Sequence, residues 1–178
     1  MQLEYEITLE QILKARDDRA EKQKILINKY HMPLISFTVN MPGIRKKTPL
    51  SGKLFWEGFQ VFDKKLADDG IPLVCQETYD LLTGYEAYIV ADISALALKE
   101  LTIQVENQHP LGRLWDFDVI ERDGRLLSRE TLGYPKRKCL LCNEDANACA
   151  RSRLHSQEDL INRMQVMSDV YFYSTQGR

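Results

Sequence analysis

Residues 114–120 read Leu-Trp-Asp-Phe-Asp-Val-Ile, an alternation of period two. Side chains at i and i+2 of a strand share a face, which puts Trp115, Phe117 and Val119 on one side and Asp116 and Asp118 on the other. A chain containing this strand must cover one face with apolar helices and accommodate two neighbouring carboxylates on the other. Such carboxylates repel each other unless something compensates, and a divalent cation such as Mg²⁺ or Mn²⁺ bound with phosphate is a common compensation. An exposed strand face or a pair of structural caps would also account for an Asp-x-Asp. A third carboxylate could come from Glu77, Asp80, Glu121 or Glu130, which the sequence does not rank.

The surrounding pattern supplies the covering helices. Thr8, with Gln11 three residues on, predicts a capped helix running to about Tyr30. Its polar middle predicts packing at the two ends and an exposed centre. Residues 34–40 read as a strand, and Thr48-Pro49 opens a second helix with Phe55, Phe59, Phe62 and Leu66 on one face. Strands follow over 72–78 and 85–91 around a Thr83-Gly84 turn. Ser94 caps a third helix striped by Leu98, Leu101 and Val105, and residues 114–121 form the fourth strand. RLLSRE is a candidate fifth strand, 132–155 a polar loop, and Ser156 the start of a last helix with Leu160, Met164, Met167 and Tyr171 on one face.

The order β-α-β-β-α-β predicts a single α+β domain over residues 1–178. Its sheet would be mixed or antiparallel, nucleotidyltransferase-like or ferredoxin-like, with added N- and C-terminal helices. No apolar run approaches the ~20 residues of a membrane span. The acidic N-terminus has no signal-peptide core, so a reducing cytoplasm is the expected compartment.

A net charge of −2 over 178 residues hides an uneven distribution. Residues 41–53 carry Arg45, Lys46, Lys47 and Lys53 and no acid, a block of +4; residues 54–118 sum to −8, and residues 125–153 to +4. The first basic block lies in a Pro/Gly-rich loop that can offer backbone N–H groups as well as cations to phosphate. Arg151 and Arg153 precede a helix start, another setting suited to phosphate. Either block could equally be solvated surface.

Cys139, Cys142, Cys149 and His155 give C-x₂-C-x₆-C-x₅-H, four soft ligands within seventeen residues. They are either reduced thiols beside a histidine or the ligands of a tetrahedral Zn²⁺. With zinc, the basic loops would also suit a nucleic-acid-binding module. The acidic central block interrupts any basic stripe, however, and aromatics are not interleaved with the bases.

Three segments, TVNMPG with the basic residues after it, LGRLWDFDVI, and RKCLLCNEDANACARSRLH, together resemble the holo-acyl-carrier-protein synthase family of citrate lyase, the apo-citrate lyase phosphoribosyl-dephospho-CoA transferases. The resemblance covers most of the chain. It implies transfer of a phosphoribosyl-dephospho-CoA group from 2′-(5″-triphosphoribosyl)-3′-dephospho-CoA to a serine of the small acyl-carrier subunit, with release of pyrophosphate. Asp116 and Asp118 would then be the catalytic, Mg²⁺-holding pair. Arg45, Lys46, Lys47 and Lys53 would be candidates for the triphosphate, and Arg113, Arg151 and Arg153 for the remaining phosphates. No nucleic-acid or membrane partner is implied. Gly112-Arg113 precedes the Asp-x-Asp strand directly, where many nucleotidyltransferases have a Gly-Ser turn on a helix start. A catalytically inert carrier-binding protein is a further alternative.

Overall fold

A computed structural model describes residues 5–176; residues 1–4, where the acidic N-terminal stretch begins, and 177–178 lie outside the described residues. Along the chain run α1 (Leu9–Tyr30), β1 (Leu34–Val39), α2 (Pro49–Asp68), β2 (Leu73–Leu81), β3 (Gly84–Ala91), α3 (Ala95–Gln108), β4 (Trp115–Ile120), β5 (Leu126–Leu127), α4 (Ala146–Ser152) and α5 (Gln157–Gln176). The helix starts follow from local chemistry. Thr8 and Thr48 close reciprocal capping boxes with Gln11 and Ser51, and Ser94 caps α3, each satisfying amides that a helix end leaves unpaired.

The sheet order is β2-β3-β1-β4-β5, antiparallel throughout, which resolves the mixed-or-antiparallel alternative. Strand β3 sits between β1 and β2, and β1 between β3 and β4, so two β-α-β units interleave. The predicted fifth strand shrinks to two residues followed by a 3₁₀ turn over Arg129–Leu132.

One sheet face carries Ile35, Phe37, Ala87, Ile89, Trp115, Phe117 and Val119, which bury against α2, α3 and Met164 of α5. The apolar half of the Leu114–Ile120 alternation thus lies where the sequence puts it. Gly58 lets α2 cross this face closely: a Cβ there would come within 2.7 Å of Phe37 Cζ and the Trp115 indole. Gly58→Ala should therefore cost about 1–3 kcal/mol, because a close-packed core takes an added methyl only by straining its neighbours. Equilibrium urea unfolding measures this, and an unchanged midpoint would refute the packing account.

Among the described residues the other face packs on α1, through Leu26 and Ile27 against Leu34, Tyr88, Val90 and Ile120. Here the structure corrects the expectation for this helix. Only its C-terminal half packs; Leu9 and Leu13 are exposed. Its centre is tethered rather than free, Arg19 to Glu86 at 2.5 Å and Lys22 to Glu77 at 2.6 Å. The N-terminal half is held off the sheet and leaves a cleft.

Candidate active site

The cleft takes Asp116 from the polar half of the same alternation. In register, Asp116 stands opposite Thr38 and Asp118 opposite Ser36 across β1. The first cleft, about 320 Å³, is lined by Asp116, Thr38, Arg16, Arg19, Lys46 and Tyr85 among others. Asp118 follows on the same strand face, and its carboxylate makes no hydrogen bond or ion pair among the described residues. Burial, then the neighbouring Asp116, pushes its carboxyl up to about 6. The pair is therefore under-compensated by protein. Asp116 has one partner, Arg137 Nη1 at 3.5 Å.

Four carboxylates considered for a third ligand are committed elsewhere: Glu77 to Lys22, Asp80 to Lys47, Glu121 to Arg125 and Glu130 to Lys136. Glu86 of β3 shares this face, opposite Thr38 on the far side of β1. It is held by Arg19 and by Tyr88 Oη, which donates at 2.7 Å. Two strand spacings, roughly 10 Å, separate it from Asp116.

Of the first basic block, only Lys46 turns inward. Its Nζ donates to the Met41 carbonyl, and burial together with the nearby Arg16 pushes its pKa down. Two cations at this close approach favour an anion between them. Arg45 pairs with Glu6 at 2.8 Å, Lys47 pairs with Asp80 at 2.7 Å, and Lys53 is exposed on α2.

A second, larger cleft of about 700 Å³ meets the first at Asn40, Met41 and Lys46. Arg113, Arg137, Lys138 and Arg153 line it, while Arg151 is exposed on α4. Burial and the adjoining Arg137 and Arg129 lower the pKa of Arg113, marking an arginine-dense wall. The structure thus brings Lys46, Arg113 and Arg153 into the clefts that adjoin the aspartates, and leaves Arg45, Lys47, Lys53 and Arg151 outside them. Arg16, Arg19, Arg137 and Lys138 join the site without having been singled out from sequence.

The wall is organised by Glu106 of α3, which is 3% exposed. Its carboxylate receives Arg129 Nη2 at 2.9 Å and Arg137 Nη2, and accepts the Phe117 amide at 3.4 Å. Arg137 Nη1 also donates to the Trp115 carbonyl at 2.9 Å, and Lys99 Nζ to the Phe117 carbonyl at 3.2 Å. Beyond the reach of the two-residue β5, side chains thus complete the hydrogen bonds of β4. Sequence offered only a weak sign of this: Lys99, Thr102 and Glu106 recur at i, i+3 and i+7 of α3, and all three are buried.

The segment between β5 and α5, where the sequence predicts a polar loop, contains the short helix α4, capped by Asp145. It gathers Cys139, Cys142, Cys149 and His155 so that their donor atoms all lie within 4.8 Å of one another.

Carboxylates suited to a hard cation, beside cations suited to anionic oxygens, are the parts of an enzyme that transfers phosphorus-centred groups. The chain belongs to the apo-citrate lyase phosphoribosyl-dephospho-CoA transferase family, whose model matches residues 7–171. A relative from Vibrio cholerae serotype O1 (strain M66-2), named probable apo-citrate lyase phosphoribosyl-dephospho-CoA transferase, is 38% identical over 166 residues, covering 93% of each chain. Relatives from Shigella boydii and Escherichia coli (strain SE11), both named apo-citrate lyase phosphoribosyl-dephospho-CoA transferase, are 35% identical over 161 residues, 90% of this chain and 88% of theirs. No helix among the described residues is long and apolar enough to cross a membrane.

Proposed function

We propose that this chain, as one nucleotidyltransferase-type domain, transfers the phosphoribosyl-dephospho-CoA group to a serine hydroxyl of the citrate lyase acyl-carrier subunit. The donor is 2′-(5″-triphosphoribosyl)-3′-dephospho-CoA and the leaving group pyrophosphate. The observation that carries the reading is Asp116 in the lining of a cation-rimmed cleft, with the under-compensated Asp118 two residues on along the same strand face, together with membership of the family.

Asp116 and Asp118 fit Mg²⁺ or Mn²⁺: both offer hard oxygen donors on one strand face, and the Asp118 carboxylate has no hydrogen bond or ion pair among the described residues. When bound, such an ion supplies charge neutralisation at the phosphate and lowers the cost of ionising the incoming hydroxyl. Lys46 and Arg16 bind the outgoing phosphates, where negative charge accumulates as the phosphodiester forms. Arg113, Arg137 and Arg153 hold the remaining phosphate groups of the donor in the adjoining cleft. The cysteine cluster, whose donors suit a softer ion, stands outside this chemistry. A reducing cytoplasm is the compartment this reading assigns.

The test is mass spectrometry of apo-carrier incubated with enzyme, authentic donor and Mg²⁺. The carrier should gain the mass of one phosphoribosyl-dephospho-CoA group on serine. An unchanged carrier sinks the proposal, and salt-sensitive RNA binding in its place would favour the nucleic-acid module.

Steady-state kinetics separates the cations. Lys46→Ala should raise the KM for donor about tenfold, about 1.4 kcal/mol of lost binding. Arg45→Ala and Lys47→Ala remove side chains that stand outside the clefts and pair with the exposed Glu6 and Asp80, and each should change it about twofold or less. Equal effects at all three positions would contradict this cleft assignment.

A further inference from the structure

Residues 128–163 form a run of 36 positions with one buried residue, Cys149. Ordering a backbone costs roughly 1–2 kcal/mol per residue, and this stretch has almost no buried apolar surface to offset it. It nevertheless converges on a single point. Cys142 Sγ lies 3.5 Å from Cys149 Sγ and 3.2 Å from His155 Nε2, and the Leu141 amide donates to Cys139 Sγ at 3.5 Å. A tetrahedral Zn²⁺ with bonds of about 2.3 Å to sulfur and 2.0–2.1 Å to nitrogen separates its ligands by about 3.6–3.8 Å. The Cys142 pairs stand within about half an ångström of that spacing, and all four donors lie within 4.8 Å of one another.

The backbone around them is built to hold such a ligand set. A short antiparallel bridge joins Lys138 to Asp145, with Cys139 N–H donating to the Glu144 carbonyl at 2.7 Å and Ala146 N–H to that of Arg137 at 2.9 Å. That bridge closes the turn carrying Cys139 and Cys142. α4 then delivers Cys149, and its C-cap, Arg153, takes a left-handed conformation at φ 50° that swings the chain back to His155.

We propose that Cys139, Cys142, Cys149 and His155 bind one structural Zn²⁺, which folds this segment and sets the outer wall of the second cleft. All four positions are protein ligands, so the centre is closed to substrate and acts through position alone. Loading releases the thiol protons to solvent and leaves the thiolate charge shared with the ion. Leu140, Ala150, Arg153 and Gln157 line the cleft from this segment, so the metal fixes where Arg153 stands. That last consequence rests on the transferase reading; the metal content does not.

Full-length protein purified from zinc-replete cells without chelator should contain one equivalent of zinc per chain by elemental analysis. Its cobalt form should show thiolate charge-transfer bands and the intense d–d absorption of a tetrahedral site. Cys142→Ser and His155→Ala should each lose the metal, whereas Cys75→Ser, outside the cluster, should keep it. Chelation should open proteolytic cleavage within 133–156 while the sheet core stays intact. Substoichiometric metal, a Cys142–Cys149 disulfide in reduced-cell extracts, iron in place of zinc, an octahedral cobalt spectrum, or full zinc in Cys142→Ser would each overturn the assignment. A zinc-loaded protein that fails to modify the carrier would leave this site standing and remove the transferase reading instead.

Discussion

Asp118→Asn should lose transfer activity on the order of 10³-fold and, in metal-free protein, fold more stably than the parent. The two effects share one cause. The carboxylate is partly desolvated beside Asp116, with no hydrogen bond or ion pair among the described residues, and its pKa rises from the usual carboxylate value to about 6. Between about pH 4 and 6 the folded protein then keeps a proton that the unfolded chain has released, so this group's contribution to stability falls as pH rises through that window. At pH 8 the full penalty remains, about 1–3 kcal/mol for a shift of this size. Asparagine keeps the shape, removes the charge and recovers much of that energy, but it is a poorer ligand for a hard cation. Thermal melts at pH 8 with chelator, paired with the carrier mass shift, measure both. A variant that is inactive and also less stable would show that Asp118 holds the fold rather than the chemistry. A fully active variant would remove the metal-site proposal. Asp116→Asn should also abolish transfer but stabilise less, because Asp116 is partly exposed and has Arg137 nearby.

Glu106→Ala should destabilise the protein by about 3–5 kcal/mol, the usual consequence of removing one member of a buried charge group and stranding the others. For a chain of this size that lowers Tm by roughly 10 °C. Three groups lose their acceptor at once: Arg129, Arg137 and the Phe117 amide. Glu106→Gln retains an acceptor but leaves two guanidiniums facing a neutral group, and should fall between the parent and alanine. Calorimetry decides this, and a Tm within about 2 °C of the parent for Glu106→Ala would mean that water replaces the carboxylate without cost. Arg137 also reaches Asp116, so whatever fraction stays folded should show a raised KM for donor in addition to lower stability.

Much of the scaffold was legible in the sequence because local rules act over a few residues. The Leu114–Ile120 alternation gave both faces of β4, the Thr8 and Thr48 caps gave two helix starts, and Leu98, Leu101 and Val105 gave the packed stripe of α3. The order of elements gave the interleaved β-α-β units. The site was legible only in its floor. Arg45, Lys46 and Lys47 are consecutive and chemically alike, yet only Lys46 turns into the cleft, because the loop curls its own Met41 carbonyl onto it and α1 brings Arg16 beside it. No periodicity encodes that choice. Glu106 was hidden for a related reason: Lys99, Thr102 and Glu106 look like a solvent face, and become a buried one only when Arg129 and Arg137, 23 and 31 positions beyond Glu106, fold over it. The seven-residue α4 has too few turns to show an apolar stripe.

The side chains that finish β4 have a consequence for how copies of the molecule meet. Unpaired strand edges are templates on which another chain can add, and proteins protect them with charge. Where β5 stops short, Arg137, Glu106 and Lys99 occupy the hydrogen-bonding groups of Trp115 and Phe117, so a foreign strand would have to displace a buried ionic cluster to dock there. The opposite edge, β2, carries Glu77 and Asp80, each engaged with a lysine. The strand that bears the aspartates is thereby shielded from self-association, and the sheet can stay open to its substrate without inviting a second sheet.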